Sequence, residues 1–164
     1  MVKKLAVFCM GTIVAVAIGA PLRAQDRLAG LLAQYEHEAD PVRKARLLSK
    51  LGDDQVSEAR EQWKAGEDVA SLQTLEKYRD EVRETVTGLE AAVPDPEKKP
   101  AGFKELQISL RETVRHIDDL ILTLPVDKRP FFRDVRNDLV KTQNELIDAL
   151  FPRQPNHVPT KPNP

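Results

Sequence analysis

Between Pro41 and Phe151 an apolar side chain returns at every third or fourth position, and a chain patterned this way hides those side chains by folding as helices. No segment alternates with period two and β-branched enrichment over the length of a strand, so sheet is not expected. With 164 residues there is room for one domain and one sizeable core. The pattern predicts an all-α fold. Its form is an antiparallel bundle of four main helices plus a short N-terminal helix, with two stacked helical hairpins as a variant, because short connections place long neighbouring helices antiparallel.

Leu28, Leu31, Leu32 and Tyr35 give the short helix one apolar face from Arg27 to about Glu38, with Asp26 placed to cap its start. Asp40-Pro41 reads as a new N-cap and first helical position, where the missing proline N–H costs nothing. The segment Pro41 to Ala65 carries Val42, Ala45, Leu48, Val56, Ala59 and Trp63 and is interrupted by Gly52-Asp53-Asp54. Its apolar phase holds across Gly52, which favours one bent helix over two. On that reading Gly52→Ala raises helicity and stability, whereas a left-handed cap at Gly52 reverses the sign.

Gly66 closes that element, and Val69, Leu72, Leu75, Tyr78, Val82, Val86, Leu89 and Val93 mark the next face, to about Ala92. Three prolines between Pro94 and Pro100 then divide the domain into halves, 26–93 and 101–151. Phe103, Leu106, Leu110, Val114, Ile117, Ile121 and Leu124 form a further stripe. The last helix buries Phe132, Val135, Leu139, Leu146 and Leu150, with Asn137, Lys141, Asn144 and Asp148 outward. Asp127 is its expected N-cap, and Val126 with Phe131 its hydrophobic staple.

The two ends of the chain are of another kind. Lys3 and Lys4 precede sixteen uncharged residues, Leu5 to Ala20, and then Pro21-Leu22-Arg23-Ala24. Residues 1–24 read as a signal peptide cut between Ala24 and Gln25, with retention as an anchor as the second reading. Either places residues 25–151 outside the cytoplasmic membrane, periplasmic or secreted, with no membrane insertion once the leader is gone. Cys9, the one cysteine, lies in that leader, which removes disulfides and thiolate metal sites from the mature chain. Without Lys3, Lys4 and Arg23, 22 of the 25 basic residues face 26 acidic ones, a net charge of −4. No concentrated basic surface suggests nucleic acid. Residues 152–164, with five prolines after Phe151, read as a disordered tail.

Arg83-Glu84-Thr85-Val86 recurs as Arg111-Glu112-Thr113-Val114. Trp63, Gly66, Leu72 and Tyr78 resemble the turn and flanks of a tetratricopeptide hairpin, although Ser71 departs from its pattern and no further copy follows. A lone unit has no copy of itself to stack on, so no family follows from the resemblance.

Chemistry is sparse. His37 sits between Glu36 and Glu38, whose side chains point different ways on a helix. Glu112, His116 and Asp119 share one helical face and form a weak candidate metal site. Ser49, Ser57 and Ser109 lie in helices away from any nucleophile elbow, and no glycine-rich phosphate loop occurs. No cofactor and no enzymatic activity are expected. Trp63, Tyr78 and Phe131 are the candidate partner surface, and an exposed ring at 131 would mark a partner groove. The expected role is protein–protein interaction or structural support in the cell envelope, with an unidentified protein or a second copy as partner. A bundle holding a small apolar ligand and a weak metal-binding bundle are the alternatives.

Overall fold

Asp40 ends one helix layer and begins the next: its Oδ1 accepts the Arg43 amide at 2.8 Å, and Pro41 follows at the first helical position. In the computed structural model, which describes residues 21–152, five helices are formed: α1 Pro21–His37, α2 Pro41–Lys64, α3 Asp68–Ala92, α4 Phe103–Thr123 and α5 Arg129–Leu150. The leader up to Ala20 and the tail beyond Pro152 lie outside the described residues. Helix α1 starts earlier than its apolar face implied. The described part of the helix begins at Pro21, so Asp26, the expected N-cap, lies inside it. The expected cut between Ala24 and Gln25 falls within the described helix, on the N-terminal side of Leu28, Leu31, Leu32 and Tyr35.

Helix α2 is continuous through Gly52. It ends at Gly66, whose φ of 81° suits a residue without Cβ; there the Gly66 amide donates to Trp63 O at 3.0 Å and the Glu67 amide to Gln62 O at 2.9 Å. Helix α4 starts after Gly102, also at positive φ, where Glu105 Oε2 reaches back 2.8 Å to the Gly102 amide.

Helix α2 packs against α1, α3 and α4, and α5 packs against α3 and α4. Cross-links fix the directions. Ser109 Oγ donates to Ser49 O at 2.8 Å and His116 meets Asp53 at 3.0 Å, so α4 runs parallel to α2. Lys128 reaches Asp68 at 3.4 Å and Arg83 reaches Asp138 at 2.8 Å, so α5 runs parallel to α3. Two antiparallel hairpins, α2–α3 and α4–α5, therefore stack side by side, and the proline-bearing connection 93–102 crosses diagonally between them. The two Arg-Glu-Thr-Val copies fall on the second helix of one hairpin and the first of the other, which are not equivalent positions.

The predicted stripes form one core with Leu48, Leu75, Leu89, Phe103, Leu110, Ile117 and Leu139 shut off from solvent. At its centre Gly52 is buried, and a Cβ there would meet Thr113 Oγ1 and stand 2.7 Å from Tyr78 Oη. The helix is one, as its phase implied, yet the sign expected for Gly52→Ala is reversed. Alanine gains about 1 kcal/mol of helix propensity but overpacks a three-helix contact, typically by about 1–3 kcal/mol.

Tyr78 Oη and Thr113 Oγ1 are both buried without a well-formed hydrogen bond. Each orphaned hydroxyl costs about 1–3 kcal/mol relative to a satisfied one. The double variant Tyr78→Phe/Thr113→Val keeps the shapes and removes both, so its urea midpoint should rise, by about 1 kcal/mol in stability. A fall of that size would mean the two hydroxyls stabilise the core.

Candidate functional site

The residues singled out from the sequence do not converge. His116 on α4 turns its Nδ1 across to Asp53 Oδ1 of α2, 3.0 Å away, instead of along its own helix. Glu112 faces Arg115 at 3.8 Å, and Asp119 lines a groove of about 400 Å³ with Arg115, His116 and Asp118. Among the described residues no three His, Cys, Asp or Glu side chains could hold a metal ion together. His37 is exposed, in a groove whose charged residues are Glu38, Arg43, Arg46 and Lys50. Ser49, Ser71 and Ser109 each spend their hydroxyl on a backbone carbonyl.

The aromatic trio separates as well. Tyr78 is fully buried and offers nothing to a partner from inside the bundle. Trp63 is half-buried and packs edge-on against Phe132, with centroids 6.2 Å apart and planes at 83°. Phe131 alone is exposed. The staple expected between Val126 and Phe131 does not form, because α5 begins at Arg129 with Lys128 in the cap position. That start makes Phe132 the fourth helical residue, and it is Phe132 that turns inward.

What the structure brings together instead is an apolar end. Val69 is 70% exposed, Leu122 72%, Val126 76% and Phe131 56%. All four lie at the end formed by the α2–α3 and α4–α5 turns. Val69 continues the α3 stripe by sequence but stands in the first turn of its helix, outside the core. Polar bonds hold this end in shape. Lys128 of one turn pairs with Asp68 beside the other at 3.4 Å. Arg129 donates to the carbonyls of Leu124 at 2.9 Å and Leu122 at 3.3 Å, satisfying the C-terminus of α4 where a cation is favoured.

No protein family, curated protein or solved structure matches this chain. Its functional reading therefore rests on its own geometry.

A polar seam fastens α1 to the bundle. Tyr35 Oη lies 3.1 Å from Glu81 O and 2.9 Å from Thr85 Oγ1, and Gln55 Nε2 donates to Glu81 Oε2 at 3.0 Å. Burial pushes the Glu81 carboxyl above its ordinary range, against the Gln55 bond and the Lys77 ammonium. Burial likewise pushes the Tyr35 phenol up to about 12, opposed by the Thr85 bond, and raises Tyr78 too.

These are the two tyrosines of the chain. With both folded pKa values above the unfolded value of about 10, the unfolded chain gives up its phenolic protons first. Stability is therefore intact below that pH and lost as pH rises toward the folded values. Phenolate absorbance should appear in step with the loss of helical circular dichroism, with no earlier phase. A tyrosine ionising near pH 10 in a fully helical protein would contradict the burial of one ring.

Proposed function

We propose that this is an exported, non-enzymatic helical protein of the cell envelope, with a role in protein–protein interaction or structural support. Its partner surface is the end bearing Val69, Leu122, Val126 and Phe131. One observation carries this reading: four apolar side chains stand in water at one end of the bundle, on a turn and the helix ends beside it, where Lys128–Asp68 and the Arg129 bonds tie the chain. Scattered exposed apolar residues need no explanation, but several at one end of the bundle suit an apolar partner surface. The export reading is supported by the basic and apolar pattern of the first 24 residues. Among the described residues no helix is long and apolar enough to cross a membrane. Neither alternative reading gains support, since charged side chains line the grooves described above and the acidic groups around His116 do not converge.

Photo-crosslinking in the intact envelope tests this reading. A photoreactive residue at position 131 should give a discrete adduct, and one at Arg111, exposed on α4, should not. An adduct of twice the protein's mass identifies a second copy, and any other mass a different partner. Leu122→Glu should abolish the adduct while changing stability by less than about 0.5 kcal/mol. No adduct at 131, or the same adducts from both positions, would contradict the proposal.

A further inference from the structure

Opposite the apolar end, α1 and α2 diverge around their short connection and leave a groove of about 470 Å³. Its α2 wall is Arg43, Arg46, Leu47 and Lys50, spaced i, i+3, i+4 and i+7, so the three cations stand on one face over about 10 Å of helix. Gln34, His37 and Glu38 form the facing wall, and Leu47 packs partly into the core below.

The charge of this groove is unusual for the molecule. In the α4–α5 groove Arg136 grips Asp118 with two bonds of 3.0 and 3.1 Å beside a single cation unpaired among the described residues, Arg133, and in the groove between α2 and α3 Lys44 pairs with Glu84 at 2.8 Å. Here three cations face the carboxylate of Glu38. Arg46 touches Glu105 at 3.3 Å, whereas Arg43 and Lys50 make no ion pair among the described residues. Arg43 and Arg46 also stand in the first two turns of α2, where the helix dipole disfavours cations, and α2 has no acidic residue in its first turn. Arg43 and Lys50 are thus left without an internal partner among the described residues, a pattern expected where a residue serves a ligand.

We propose that this groove binds a phosphate-bearing anion, held by charge-assisted bonds from Arg43 and Lys50, with Arg46 and Gln34 flanking it and Leu47 and the arginine stems against its apolar part. The phosphate is the shared chemistry of two sources, a small phosphate ester in solution and the headgroup of an anionic lipid. The site is independent of the proposed partner surface, because it lies at the other end of the bundle.

Protein expressed with its own leader and purified from the envelope is titrated calorimetrically with inorganic phosphate and glycerol phosphate, with sodium chloride matched in ionic strength as the blank. In parallel it is sedimented with vesicles of phosphatidylglycerol or phosphatidylcholine. The variant Arg43→Gln/Lys50→Gln should weaken binding by about tenfold or more, since two charge-assisted contacts are lost. Arg133→Gln/Lys141→Gln removes the same charge from exposed positions on α5, which packs against α3 and α4 and not against the groove, and should change binding by less than about twofold, the effect of long-range charge in salt. Binding in solution assigns the site to a free phosphate ester, and binding to phosphatidylglycerol vesicles alone assigns it to a headgroup. Absence of binding in both arms, or equal weakening by the two double variants, overturns the proposal. Unchanged helical spectra confirm that either variant remains folded.

Discussion

Gly52→Val will melt about 10 °C below the parent protein, a loss of about 3 kcal/mol, because the branched side chain enters a contact already closed by two hydroxyl-bearing residues. The site has no slack. Gly52 is buried where α2 meets α3 and α4, and even one carbon would overlap Thr113 Oγ1 and crowd Tyr78 Oη. Thr113 is branched at Cβ and fully buried, and the Tyr78 ring is enclosed on all sides, so neither gives way cheaply. Valine also forgoes part of the helix propensity that would favour alanine. Fluorescence of Trp63, the single tryptophan, against Phe132 reports the transition from a different layer of the bundle. A Gly52→Val protein as stable as the parent would show that the three helices do not approach one another here.

Phe103→Ala should cost about 3–5 kcal/mol, the range for truncating a fully buried aromatic residue. Phe103 opens α4 just after the diagonal crossing from the first hairpin. The adjoining Gly102 approaches so closely that a Cβ would lie 2.8 Å from Leu89 and 3.4 Å from the Val42 backbone. This corner joins the start of α2, the end of α3 and the start of α4. Phe151→Ala, near the same end but exposed, should change stability by less than about 0.5 kcal/mol. Chemical denaturation of the two variants side by side checks the contrast, and equal midpoints would remove Phe103 from the core.

Helix content and the inward faces were legible because periodicity is a local property. Leu106, Leu110, Val114, Ile117 and Ile121 could be read as one stripe from spacing alone, and all five are buried. The stacking of hairpins was partly legible. Short turns set α2 against α3 and α4 against α5, but the parallel pairing of α2 with α4 depends on where the 93–102 connection returns, which no local rule fixes. Gly52 illustrates the same limit. Its phase revealed a continuous helix, while the reason for glycine lies 26 and 61 positions away, at Tyr78 and Thr113.

The candidate site was legible only in part. Phe131 was singled out, but its exposure follows from where α5 starts, one residue later than Asp127 as a cap would set it. Val69 continued its stripe by spacing and lies outside the core, since a helix face is buried only as far as its neighbours extend. Tyr78 was chosen for its polar atom, and its burial depends on α2 and α4 closing over it. The cations of Arg43, Arg46 and Lys50 were visible as residues, whereas the pairing of Arg46 with Glu105 and the lack, among the described residues, of a carboxylate partner at Arg43 and Lys50 are facts of tertiary structure.

The stacking of the two hairpins is tested most directly by a disulfide between α2 and α4. In a Cys9→Ser background, Asp53→Cys/His116→Cys places thiols where two side chains already meet at 3.0 Å, while Asp53→Cys/Lys141→Cys links α2 to the outward face of the diagonal helix α5. Mild oxidation should cross-link the first pair rapidly within one chain and leave the second reduced. No cross-link at 53/116, or preferential cross-linking at 53/141, would contradict the parallel packing of α4 on α2.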